Sequence, residues 1–147
     1  MLSGLQHAHS GLRWLVLIFL IIALVKGISG WMGSKSYTEG DRKMALFALI
    51  FTHIQALLGL GLYFISSKVS FHEGFIKETV HRFYGVEHIS LMLLAIILIT
   101  IGYSTAKRTG TDLGKHKKIA IWYGIGLLLI LAAIPWPFRE ILGGSWF

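Results

Sequence analysis

Cysteine is missing from all 147 residues, which excludes disulfides, thiolate metal sites, iron–sulfur clusters and haem attached through a Cys-x-x-Cys-His motif. Any cofactor must therefore be held by histidine, methionine, carboxylate or packing. Acidic residues are scarce, seven against fourteen Lys and Arg. Proline occurs twice, in the single stretch Pro135-Trp136-Pro137, so no earlier apolar run is interrupted by it. Charged residues make up only 14% of the chain and hydrophobic ones 54%, with a mean hydropathy of +0.67. Such a chain is not built for water alone.

What is present is four long apolar runs, at about 11–32, 44–66, 83–105 and 119–137, each near the ~20 residues that an α-helix needs to cross a bilayer. The expectation is an all-α, up-down four-helix transmembrane bundle forming a single domain over 1–147, because helices satisfy their backbone internally in lipid. Residues 1 to 10 contain no Lys or Arg, so the first run reads as a retained span and not as a cleaved signal peptide. Phe71, Phe75, Ile76 and Val80 recur near helical spacing between Ser67 and Arg82, which predicts a short interfacial helix between the second and third spans.

The net charge of +7 does not point to nucleic acid, because the basic residues sit in short loops between apolar runs. Lys26, Lys35, Arg42 and Lys43 fall in the first loop and Lys107, Arg108, Lys115, Lys117 and Lys118 in the third; only Arg13, Lys68, Lys77, Arg82 and Arg139 lie elsewhere. By the positive-inside rule these two loops are cytoplasmic and both termini face outward.

Ionisable residues inside a span point to function. His88, beside Glu87 in the third span, is the leading ligand candidate. His9 sits at the start of the first span, with Arg13 one turn below it on the same face. Counting ~1.5 Å per residue, His9 and His88 differ in depth by roughly 9 Å, a mismatch removed only if a helix end lies two or three residues from its expected place. His53, deep in the second span, is either a ligand, as the alternative partner of His88 at a depth difference of about 13 Å or for a second and deeper cofactor, or an interhelical hydrogen-bonding group. His7, His72, His81 and His116 read as interfacial side chains. Arg13 suits either a cofactor carboxylate or an ion pair with Glu87. Gly59, Gly61, Gly124 and Gly126 remove side chains where helices touch or where a flat ring could lie. There is no Ser/His/Asp arrangement, phosphate-binding glycine loop or carboxylate pair, so a hydrolytic enzyme is not expected.

His7-Ala8-His9-Ser10-Gly11-Leu12-Arg13-Trp14, the Gln55 to Tyr63 stretch, Glu87-His88 and Pro135-Trp136 together resemble a family of small four-span bacterial membrane proteins labelled cytochrome b-like. The likeness runs over nearly the whole chain. It implies a bacterial inner-membrane protein with non-covalent haem b, passing electrons to or from a quinone or respiratory-complex subunits, and open to forming a homo-oligomer. The family often carries another residue at the position of His53, which favours His9 and His88 as the axial pair, with Arg13 at the haem propionates. Two other classes remain at this point: a zinc or copper site or transporter built from His7, His9, Glu87 and His88, and a cofactor-free accessory subunit of a membrane complex.

Overall fold

The computed structural model describes residues 2–144 and 146. Four helices are long and apolar enough to cross a membrane: α1 (Leu2–Met32), α2 (Glu39–Ile65), α3 (Thr79–Arg108) and α4 (Asp112–Ala133). They form an all-helical bundle in which α1 packs on α2 and α4, and α3 packs on α4 and, more loosely, on α2. Short connections at 33–38 and 109–111 turn the chain back on itself, giving antiparallel neighbours.

The helix ends follow from local chemistry. At the start of α2, the Thr38 hydroxyl accepts from the Asp41 N–H at 3.2 Å while the Asp41 carboxylate accepts from the Thr38 N–H at 2.8 Å, a reciprocal cap that satisfies two otherwise orphaned donors. The same carboxylate lies 2.8 Å from Lys26 Nζ, so the lysine inside the first apolar run is held by an ion pair between α1 and α2. Thr111 caps α4 through the Gly114 N–H. Helix α4 stops at Ala133, just before Pro135-Trp136-Pro137, where proline cannot continue the ladder.

Large side chains fill the bundle centre: Leu20 of α1, Ile99 of α3, and Ile119 and Tyr123 of α4 are fully buried. The Tyr123 hydroxyl donates to the Ala45 carbonyl at 2.7 Å, which satisfies the one polar atom that this packing buries. Small residues let the helices approach. A Cβ on Gly126 would lie 2.7 Å from Ile99 Cγ1, and one on Gly30 only 2.2 Å from His116 Cε1. Outward-pointing Val25, Leu57, Ile97 and Leu128 are exposed, an apolar outer surface suited to lipid.

Two elements depart from the sequence expectation. Helix α1 begins at Leu2 and not near residue 11, because the polar residues that end the apolar run do not end the helix; the backbone continues two turns further, toward the water. The interfacial helix is reduced to a 3₁₀ turn at Phe75–Lys77. Gly74, at a φ of 84°, stands in the left-handed region that interrupts a right-handed helix. Phe71 packs instead on the rings of Tyr63 and Phe75.

Candidate functional site

A cavity of about 350 Å³ opens between α1, α2 and α3 at the end of the bundle where α1 begins and α4 ends. Along α2 its wall runs from Thr52 to Ser66, roughly 21 Å at ~1.5 Å per residue. The loose α2–α3 seam is what leaves this space. Most of the wall area is apolar, with polar side chains set into it, the usual make-up of a small-molecule site.

His9 and His88 meet here. Their ring centres are 6.5 Å apart and their planes inclined at 70°, and both line the cavity. The depth mismatch expected from the sequence is gone, because α1 starts earlier and His9 sits two turns inside it. His88 follows a π-helical turn, Phe83–Glu87, whose wider i→i+5 bonding ends on the His88 N–H bonded to the Phe83 carbonyl. Such turns re-aim the residues that follow them. The Gly85 carbonyl within the turn accepts from the Tyr63 hydroxyl at 2.9 Å, tying the distortion to α2.

His88 is held from outside the cavity and His9 from its α2 wall. His88 Nδ1 lies 2.8 Å from the Ala133 carbonyl oxygen. Against α2, a Cβ on Gly59 would fall 3.1 Å from His9 Cε1, so glycine provides the cradle for that imidazole. The Gln55 Nε2 donates to the His9 backbone carbonyl at 2.8 Å. His9 Nδ1 and Gln55 Oε1 are buried and have no hydrogen-bond partner among the described residues.

Arg13 is buried, with its Nη2 donating to the Trp146 carbonyl at 2.9 Å and its guanidinium over the rings of Trp14 and Trp136. Trp14 Nε1 donates to the same carbonyl. Lys68 closes the rim from the other side: its Nζ donates to the Leu142 and Gly143 carbonyls at 3.3 and 3.1 Å and lies 4.9 Å from the Tyr84 ring centre. Burial lowers the Lys68 ammonium from its ordinary value. The segment after α4 is thus strapped across the cavity mouth by two cations.

Other sequence candidates go elsewhere. Glu87 pairs with Arg82 at 2.6 Å, so the expected Arg13–Glu87 ion pair does not form; Arg82 is one helical turn away on the same helix and reaches the carboxylate first. His53 is outside the cavity, its Nδ1 donating to the Leu49 carbonyl at 2.8 Å and its Nε2 3.4 Å from Thr100 Oγ1 on α3. It spans the α2–α3 seam. His72 and His81 both contact Glu78, in the stretch between α2 and α3, at 2.7 and 3.4 Å, and the His72 bond holds the Glu78 carboxyl below the usual carboxylate range. His116 is buried at the opposite end of the bundle, edge-on to Tyr37. The set His7, His9, Glu87 and His88 does not assemble: among the described residues no group of three or more His, Cys, Asp or Glu is placed to hold a metal ion.

Sequence reasoning did not assign Lys68 or Tyr84 to this site, nor a role to Gln55. The first two reach it through contacts with the C-terminal segment, and no spacing in the sequence signals those. No protein-family profile, curated protein or solved structure matches the chain.

Proposed function

We propose that this chain is a b-type cytochrome-like electron carrier of the bacterial inner membrane, with haem b held non-covalently in the cavity and both termini facing outward. The observation that carries the reading is the His9–His88 pair: imidazoles from two helices, on one cavity, with centres 6.5 Å apart. Two imidazoles sharing one metal, each with a nitrogen about 2 Å from it, place their ring centres roughly 6 Å apart.

The residues fit that group in three further respects. A carbonyl oxygen only accepts, so the proton of His88 sits on Nδ1 and Nε2 keeps its lone pair, the orientation that backbone carbonyls impose on metal-binding histidines. His9 Nδ1 is buried without a partner among the described residues. Gly59 leaves room where any side chain would press on the His9 ring. A bound haem b supplies one-electron chemistry, its iron cycling between ferrous and ferric.

The chain's own residues then bind and orient. His9 and His88 would hold the iron, Arg13 and Lys68 would provide positive charge at the mouth for the haem carboxylates, and the apolar wall of α2 and α3 would exclude water. The electron partner is a membrane quinone or a subunit of a respiratory complex, reached through the lipid-facing α2–α3 seam. Hydrogen bonds to Leu49 and Thr100 occupy both ring nitrogens of His53, which bridges the seam in this scheme and would not hold the iron.

The test is the visible spectrum of the purified protein after reconstitution with haemin, oxidised and then reduced. Sharp reduced bands of a six-coordinate haem, lost in His88→Gln, support the reading. That variant keeps a donor for the Ala133 carbonyl while removing the imidazole, so a colourless wild type, or an unchanged spectrum in the variant, refutes it.

A further inference from the structure

At the basic-loop end of the bundle a second cavity, of about 250 Å³, lies between the first loop, the start of α2, the end of α3 and the start of α4. Tyr37, Arg42, Tyr103, Lys107 and Lys115 line it, together with Glu39. Three cations from three separate segments therefore converge on one space. Like charges gathered this way raise each other's free energy unless an anion joins them.

How much of that charge is already neutralised decides what the site takes. The Arg42 guanidinium is engaged bidentately by Glu39. Lys115 Nζ stands 3.4 Å from Asp112 Oδ1 and 5.7 Å from the Tyr37 ring centre, a long contact on one side and a ring face on the other. Lys107 forms no ion pair among the described residues. Three cations against Glu39 and Asp112 leave one positive charge. Burial, with Asp41 nearby, pushes the Tyr37 hydroxyl up to about 12, so it remains a proton donor throughout the physiological range.

The surface that continues from this cavity toward the membrane centre is apolar. Ile50 on α2, and Ile97 and Ile101 on α3, are exposed along the two helices that flank it. A ligand with a singly negative, oxygen-rich head and a hydrocarbon body matches both parts. We propose that this cavity binds the phosphodiester headgroup of an acidic phospholipid, with Lys107 and Lys115 on the phosphate, the phenols of Tyr37 and Tyr103 as hydrogen-bond donors, and the acyl chains along the α2–α3 surface. The site is independent of haem and lies at the opposite end of the bundle from His9 and His88.

Native mass spectrometry of the full chain in detergent tests it, with phosphatidylglycerol, phosphatidylcholine or inorganic phosphate added in parallel. Phosphatidylglycerol is expected to be retained several-fold better than phosphatidylcholine, and inorganic phosphate at equal concentration is expected not to displace it. Lys107→Gln and Lys115→Gln should each lower retention about fivefold, the effect of removing one basic residue near a phosphate surface. Lys115→Arg should retain it, and Lys35→Gln, outside the cavity, should change nothing. Equal retention of the two lipids, or a loss in Lys35→Gln as large as in Lys107→Gln, overturns the site. Displacement by inorganic phosphate overturns the lipid as its occupant.

Discussion

His88 Nδ1 lies 2.8 Å from the carbonyl oxygen of Ala133, and this contact between α3 and α4 fixes both the tautomer and the aim of the imidazole. The carbonyl is the last of α4 before the chain turns toward Pro135, so it has no partner in its own helix ladder. One bond therefore satisfies a helix end and orients the imidazole in the cavity.

The histidines should separate cleanly by spectrum. In haem-reconstituted protein, His9→Ala and His88→Gln are each expected to remove the six-coordinate signal, whereas His116→Ala, at the far end of the bundle, should leave it intact. His53→Ala should also leave it, with some loss of thermal stability, since its ring bridges Leu49 and Thr100. Loss of the signal in His53→Ala alone would move the axial position to α2.

Gly59 offers a test through shape alone. Gly59→Val places branched carbon where Cβ would already stand 3.1 Å from His9 Cε1, so it should lower haem affinity about 10- to 100-fold, as displacement of a ligand's support does. Gly61→Ala meets only the flexible end of Leu5, at 3.4 Å. Equal haem affinity in both variants, measured by titration, would show that the cradle does not matter.

Arg13 and Lys68 hold the strap and carry the charge at the mouth, so their variants should show two effects. Arg13→Gln is expected to shift the reduction potential or weaken haem retention while the helical circular dichroism stays that of wild type. It should also raise amide hydrogen exchange in residues 140–144, as should Lys68→Gln. Wild-type potential and retention in Arg13→Gln would leave it a role in anchoring the tail alone.

Topology is checked by fusions. Reporters placed after Gly33 and after Thr109 are expected to read cytoplasmic, and one after Phe147 external. A cytoplasmic signal from the last would reverse the orientation proposed from the basic loops.

The four spans were legible because lipid leaves a coarse signal: unbroken apolar runs of the right length, with basic residues between them. The start of α1 was not, since Gln6, His7, His9 and Ser10 look like the end of a span although the helix continues through them. That error alone made His9 and His88 appear too far apart. Glu87 was recognised as an ion-pairing group, yet its partner was misjudged because Arg82 lies across a π turn that no local pattern announced. Lys68 and Tyr84 stayed invisible for another reason. Their role depends on where residues 142–144 fold back, through contacts 58 to 75 residues apart in the chain.

The π turn at Phe83–Glu87 has a geometric consequence for α3 as a whole. An α-helix advances about 100° per residue, so a turn that accommodates one extra residue offsets the two segments it joins by that angle. The segment before it directs Arg82 toward the loop between α2 and α3, where it bonds the Ile76 carbonyl, and the segment after it begins with His88 in the cavity. Removing one residue, for instance Val86, would let the turn relax into ordinary helix and rotate the two segments back into phase. The bundle would keep its length and its lipid-facing surface. Either His88 would swing off the Ala133 carbonyl or the loop between α2 and α3 would be dragged around the helix, and the five residues of the turn thus act as a gear between the two.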